Sequence, residues 1–388
     1  MIVFEIFLYF CPLILSEIFI TMSNLNRRDF IRASLFSGIT AATIPSLLMQ
    51  SCTTQTKAQS NAELLDSRVS LVTGDNRADM AFRTLQPFAK EIAQAVGNKR
   101  IILKPNFVSS SIQLSATHCD TLEGILEFYK SINKLGQCVI IESPADGPSM
   151  VAYDNYKFVP VAEKYKVPLM DLDETPVQLL YLIDEMDFRP KAVRVSSWLM
   201  DRNNFVMSVA RMKTHDRIIA TLSLKNIVVG AAVKDVGYVS GRNRTAGTTS
   251  DKPIVHGGGI RGINYNLFTS AYHLRPDLAF IDGYDGMEGN GPTRGTTVDS
   301  RVCLAGLDWL SVDRIGVELM GIDAANVGYL NFCAGAGLGQ FDINKIDVIG
   351  EKVADHIKPY RMPDSIDRQL EWKVPLREAP PPPQQRPT

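Results

Sequence analysis

The chain has no C-x-x-C pair: its six cysteines stand singly at Cys11, Cys52, Cys119, Cys138, Cys303 and Cys333. That disfavours an intrinsic iron–sulfur cluster or a Cys-rich zinc site and leaves disulfide pairing open. An excess of one charge is also lacking. The net charge of -1 gives no field that would draw nucleic acid, so any attraction for an anion must be local. Long hydrophobic runs are missing as well. The stretch "MIVFEIFLYFCPLILSEIFIT" is interrupted by Glu5, Pro12 and Glu17 and makes a poor spanning helix. What is present is ordinary for a globular protein, with 45% hydrophobic and 21% charged residues over 388 positions. That length can bury one large core or two modest ones.

The N-terminal part reads as an address. In "NRRDFIRASLFSGITAATIPSLL" the pair Arg27 and Arg28 precedes Asp29-Phe30-Ile31 and a mildly apolar run, which resembles a twin-arginine export signal. Met22 just upstream is the expected start of translation, and residues 1–51 are read as a targeting segment. "LLMQSC", ending at Cys52, resembles a lipoprotein box, so the expected location is periplasmic or envelope-associated, with a lipid anchor on Cys52. The export machinery is the partner this implies. Residues 52–67 read as a linker and 351–388 as an extension ending in a Pro-rich tail.

From residue 68 to 350, strand-like apolar runs alternate with helical patterns. The expected fold is α/β, a mainly parallel sheet flanked by helices, with a long Gly-rich loop section from Lys234 to Asn266. The strands share a manner of ending. Lys104-Pro105-Asn106 closes one, Glu142-Ser143-Pro144 another, Lys213-Thr214-His215 a third and Asp282-Gly283 a fourth. Ligands in open α/β sheets sit beyond the carboxyl ends of parallel strands, so one shared site explains all four.

In the strand-like run Phe205 to His215, alternate residues share a face, which groups Arg211, Lys213 and His215. A lone strand-end histidine is more often structural. Three basic groups together instead need solvent, an acidic partner or an anionic ligand. Lys213 and His215, with Asp282, are therefore the candidate catalytic residues, Lys213 to hold an anion and His215 to move a proton or bind a metal. Lys104, Asn106, Arg211, Lys225 and Asn226 are the candidate ligand-binding residues. Gly289, Asn290 and Gly291 join them, from a glycine-rich loop between Asp282 and Gly295 that would roof the site. Lys225-Asn226 enters at a helix start, where free backbone N–H groups also favour an anion. Glu142, Asp282 and Glu288 are the candidate ligands for a divalent metal. Neither a P-loop nor a dinucleotide fingerprint matches the glycine spacing.

The set "KPN", "KTH" followed by "TLSLKNIVVGA", "IDGYDGMEGNGPTRG" and "LSVDRIGVELMG" resembles the bacterial and archaeal family known as domain of unknown function number 362, over roughly Ile101 to Gly339. Some members of that family carry ferredoxin-type cysteine clusters, which this chain lacks. The resemblance implies no settled reaction. From the residues, the expected function is an exported enzyme acting on a small carboxylate or phosphate, with a metal or preloaded cofactor left open. The alternatives are a non-catalytic anion- or metal-binding envelope protein and, more weakly, an iron–sulfur electron-transfer accessory.

Overall fold

Runs such as VSLVT, RIILK and CVIIE hold β-branched or long aliphatic residues at most positions and are short, so they form strands buried on both faces. The computed structural model describes residues 67–241 and 245–374. These belong to the second of two units into which the chain divides, Leu64–Thr388. The elements in chain order are β1 (Val69–Thr73), α1 (Arg77–Leu85), α2 (Ala89–Val96), β2 (Arg100–Lys104), α3 (Cys119–Ser131) and β3 (Cys138–Glu142). Then come α4 (Ser149–Asn155), α5 (Phe158–Tyr165), β4 (Leu169–Asp171), β5 (Val177–Ile183), β6 (Pro190–Ser196), β7 (Asn204–His215), β8 (Ile219–Thr221) and α6 (Ser223–Ala231). The last group is α7 (Lys252–Val255), α8 (Ile260–Ser270), β9 (Leu278–Asn290), β10 (Arg294–Gly306), α9 (Trp309–Leu319), α10 (Gly328–Gly335), β11 (Val348–Gly350) and α11 (Ile366–Gln369).

Nine strands make one mixed sheet in the order β11-β1-β10-β9-β7-β2-β3-β4, with β8 beside β7; β5 and β6 form a separate antiparallel pair. From β9 through β4 every pairing along this order is parallel, which sets the carboxyl ends of β9, β7, β2 and β3 along one edge. The fold is therefore the expected α/β architecture. Strand alternation feeds two cores. Val206, Ala210 and Met212 of β7 pack with α6, α8, α9 and α10 through residues such as Ile227, Leu267, Ile315 and Leu330. Phe205, Met207 and Val209 pack with α1 to α5 through Leu85, Ile92, Phe128, Tyr153 and Phe158. Each fully buried aliphatic or Phe side chain contributes about 1.5–3 kcal/mol.

The section 234–266, expected as loop, is partly helical: α7 and the first half of α8 lie within it. A larger difference concerns Asp282 to Gly295, read above as a glycine loop. It is a hairpin, with β9 and β10 paired antiparallel from Gly306↔Ala279 to Arg294↔Asn290. Its glycines mark close approach. A Cβ on Gly286 would collide with the ring of Tyr360, one on Gly289 (φ +78°) with Arg361, and one on Gly291 with the Thr214 carbonyl. The segment after β11 lies against the hairpin, so glycine serves packing there.

No described helix is long and apolar enough to cross a membrane. The signal, Met22 and Cys52 lie outside the described residues. Cys119, Cys138, Cys303 and Cys333 are all free thiols.

Candidate functional site

Strand β7 outruns its neighbour. Arg100 pairs with Asn204 and Lys104 with Ser208, so Arg211, Lys213 and His215 project past the end of β2. Arg211 pairs instead with Asp282 of β9, and β8 folds back so that Lys213 faces Thr221 and His215 faces Ile219. The overhang is sealed: relative exposure is 2% at Arg211, 0% at Lys213 and 2% at His215. These groups do not face solvent, and each must find company inside the protein.

Lys104, at the end of β2, is ion-paired with Glu142 at the end of β3, and its Nζ also donates to the Pro105 carbonyl at 2.8 Å and to Asn226 Oδ1 at 3.3 Å. The second Glu142 oxygen accepts the Phe107 amide at 3.1 Å. Asn226 closes the network. Its Oδ1 accepts from Asn106 Nδ2 at 3.0 Å, and its Nδ2 donates to the Lys104 carbonyl and to Ser208 Oγ, both at 3.1 Å. Lys213 Nζ donates to Asn106 Oδ1 and, at 2.6 Å, to the Ser115 carbonyl. Four predicted residues, Lys104, Asn106, Lys213 and Asn226, thus form one chain of hydrogen bonds with Glu142. Gly230 makes room for it: a Cβ there would lie 2.6 Å from Lys104 Nζ.

Burial first, and then the positive charges of Lys225 and Arg211, hold Lys213 well below the ordinary lysine range. Burial also lowers Lys104, and there Glu142 works in the opposite direction. His215 lies well below the ordinary histidine range, through burial first and then Lys225, His256, Lys213 and Arg217. Its Nδ1 accepts the Arg217 backbone N–H at 3.1 Å, so a neutral ring carries its proton on Nε2.

Arg211 belongs to a separate cluster. Asp282 lies 3.7 Å from Arg211 Nη1 and 3.6 Å from Arg77 Nε of α1, and it accepts from Thr121 Oγ1 at 2.7 Å and the Tyr284 amide at 3.1 Å. Burial would raise this carboxyl, but the two guanidiniums outweigh it and hold it below the usual carboxylate range. With every oxygen engaged and the charge fixed, Asp282 is built as a counter-ion. Nothing local in "NRADMAFRTL" marks Arg77 as the partner of a strand-end carboxylate so distant in the chain.

Helix α6 brings Lys225 and Asn226. Two of the free N–H groups expected at its start are already taken: Asp313 of α9 accepts from Ser223 N at 2.7 Å and Leu224 N at 3.1 Å. Burial pushes the Asp313 carboxyl up to about 7. Lys225 is 5% exposed and has no hydrogen-bond or ion-pair partner among the described residues. Burial first, partly offset by Asp216, brings its amine down to about 8.

The three carboxylates proposed for a metal do not come together. Glu142 holds Lys104, Asp282 holds two arginines, and Glu288 accepts the Arg361 amide at 2.8 Å. Among the described residues, three metal-type ligand atoms meet only at His118, Cys119 and Asp120. That grouping follows from adjacency in the chain, and His118 Nδ1 already accepts the Asp120 amide at 3.2 Å as the cap of α3. Of the roof residues, Asn290 exchanges two hydrogen bonds with Asp364 at 2.7 and 2.9 Å, Gly291 accepts the Asp216 amide at 2.9 Å, and Gly289 donates to the Arg361 carbonyl at 2.7 Å.

Immediately after His215 the surface opens. A cavity of about 480 Å³ is lined by Asp216, Arg217, Ile260, Asn290, Arg294, Asp364, Ser365 and Arg368. None of the three arginines has an ion-pair partner among the described residues, although Asp216 and Asp364 share the rim. The sequence offered no signal for Arg294 or Arg368, which come from a hairpin turn and from the extension after β11. Two other cavities, about 590 Å³ beside Arg314 and Phe341 and about 300 Å³ beside Tyr265 and Trp372, share no residue with the strand-end network.

Comparison with known proteins adds three findings. A thylakoid-associated protein of Synechocystis sp. is 21% identical over 235 residues, which is 59% of this chain and 65% of that protein. The chain thus spans slightly less than two thirds of this relative's length. No solved structure matches. The family model described as Domain of unknown function (DUF362) matches residues 101–318, a range that begins in β2, ends in α9 and contains Lys104, Glu142, Arg211, Lys213, His215, Lys225 and Asp282, and the chain belongs to that family.

Proposed function

We propose that the protein is an exported enzyme for a small anionic substrate, a carboxylate or phosphate, held beyond the carboxyl ends of β2, β7 and β9. The observation that carries this reading is the set of three unpaired arginines around the cavity that starts one residue after His215. An anion entering there meets Arg217, Arg294 and Arg368, and Arg217 follows closely on the end of β7 that carries Lys213 and His215. His215, neutral and with its proton on Nε2, is the group suited to moving a proton. The buried network of Lys104, Glu142, Asn106 and Asn226 serves to position Lys213. A divalent metal is not part of the proposal, because each of the three carboxylates named for it is already committed to another partner. Export and a lipid on Cys52 rest on the sequence around Arg27, Arg28 and Cys52 alone.

Calorimetry tests the anion site with five probes: glyoxylate, pyruvate, acetate, inorganic phosphate and glycerol phosphate. At least one is expected to bind wild type, and the double variant Arg294→Ala/Arg368→Ala is expected to weaken it at least tenfold with an unchanged melting temperature, since both side chains are exposed. Binding of none of the five, or equal binding by the variant, would sink the reading. A purely binding protein would give the same calorimetry but no chemistry in the experiment that follows.

A further inference from the structure

Five lysines are buried around the carboxyl edge of the sheet: Lys104, Lys213, Lys225, Lys234 and Lys252. Four of them have acceptors. Lys104 has Glu142, Lys234 has Asp173 and Ser143, Lys213 has Asn106 and the Ser115 carbonyl, and Lys252 donates to the Gly230 and Ala232 carbonyls at 3.2 and 2.6 Å. Lys225 has none among the described residues. Its Nζ is not among the fully buried atoms that lack a partner, so the amine touches solvent through a narrow opening while the rest of the side chain is enclosed. No described residue of the fold uses that amine.

We infer that Lys225 is an amine nucleophile, and that the anionic substrate is an oxo acid whose carbonyl carbon it attacks to form a Schiff base. This rests on the anion-site reading above and deepens it. The surroundings favour the free base: the groups within electrostatic reach of Lys225 are Lys104, Lys213, His215 and His256, with Asp216 the acid that opposes them. An amine brought down to about 8 is about one tenth free base at pH 7 and about half at pH 8, far more than an ordinary lysine, and the free base is the state that attacks carbonyls. Asp216, within electrostatic reach of Lys225, also lines the cavity whose arginines would complement the carboxylate of the same molecule.

The steps balance without any redox partner. The Nζ lone pair forms the N–C bond and the carbonyl π pair moves to oxygen. Water carries a proton from the nitrogen to that oxygen, giving a neutral carbinolamine. The nitrogen lone pair then forms the C=N bond as the hydroxyl takes a proton from solvent and leaves as water. The resulting iminium draws electrons from the neighbouring carbon, so that a proton or carboxylate there becomes a leaving group.

The test is reductive trapping on the full chain. Wild type is incubated with glyoxylate and sodium cyanoborohydride, which delivers hydride to the C=N bond, and modified lysines are located by peptide mapping. Lys225 is expected to acquire a carboxymethyl group at least tenfold faster than any exposed lysine at pH 8, with a rate that levels off just above that pH. Exposed lysines keep accelerating toward the ordinary lysine value of about 10.4. Lys225→Gln is expected to remove the fast adduct, and if that variant does not fold, the wild-type map decides alone. Binding of any of the five probes without a fast adduct at Lys225 overturns the nucleophile and leaves the anion site standing. No binding and no adduct removes both, and equal rates at Lys225 and the exposed lysines also overturn the inference.

Discussion

Lys104 and Lys234 on one hand, and Lys213 and Lys225 on the other, are buried to about the same degree along one edge of the sheet, yet they keep different company. Each of the first two faces a carboxylate that is itself buried, Glu142 at 2% and Asp173 at 4% side-chain exposure. The second two face amides, a carbonyl and other bases. Coulomb attraction repays desolvation only when the partner is present and well placed. Without it, the inexpensive way to bury a lysine is to bury it uncharged. The comparison teaches that one edge of this sheet holds two chemically different kinds of lysine, one held as an ion by a buried carboxylate and one pushed toward the free amine.

The largest effect comes from taking the partner away. Glu142→Gln leaves the Lys104 ammonium without its counter-charge, and urea unfolding at pH 7 is expected to show a loss of about 3–5 kcal/mol. Lys225→Met removes an amine that has no partner, and its cost is expected to lie below about 1 kcal/mol or to be a gain. Similar losses for the two variants would erase the distinction.

A smaller effect appears in the pH dependence. Lys225, at about 8 when folded, lies below its unfolded value of about 10.4, so the unfolded chain binds more protons between those limits. A folded-state value that is depressed gives stability that is present above the unfolded value and is lost as pH falls through the folded one. Stability is therefore expected to rise with pH from about 8 to 10.4, with Lys225 contributing on the order of 2–3 kcal/mol over that span. Lys252, at about 7, adds a rise of the same sign starting lower. Melts of Lys225→Met across this range should be flatter than those of wild type, and an unchanged slope would mean that Lys225 is charged in the folded protein.

Much of this edge was readable in advance for a simple geometric reason. Parallel strands put their carboxyl ends on one side, so a run that turns polar at its end points to that side wherever it sits in the chain, and Lys104, Glu142, Lys213 and Asp282 all obey this. Pairing between distant residues was not readable. Nothing in the local pattern ties Arg77 to Asp282, or Asp313 to the first amides of α6, because both contacts join elements far apart in sequence. The hairpin of β9 and β10 was misread because glycine signals a turn by itself. Here Gly286, Gly289 and Gly291 answer to Tyr360, Arg361 and Thr214, which only the folded chain brings near. For the same reason the extension after β11 looked peripheral. In the fold its Arg368 lines the cavity, and its Gln369 accepts the Ile219 amide at 2.5 Å.

The smallest expected effect concerns the room left for the paired lysine. Gly230 lies near the end of α6, and a methyl group there would come within 2.5 Å of Lys104 Cε. Two terms oppose each other. Alanine is a better helix former than glycine by about 1 kcal/mol, whereas overpacking a filled site costs about 1–3 kcal/mol. The far end of a lysine is usually free to swing aside, but this one is tied to Glu142, Pro105 and Asn226, so the second term should win narrowly. Gly230→Ala is expected to cost about 1 kcal/mol in urea unfolding. The cause can be isolated by a double-mutant cycle with Lys104→Ala, which removes the crowded atoms. In that background Gly230→Ala should turn neutral or stabilising, because the helix term then acts alone. If the cost persists with alanine at both positions, the glycine answers to something other than the ammonium, and the crowding between α6 and the lysine of β2 is not what selects it.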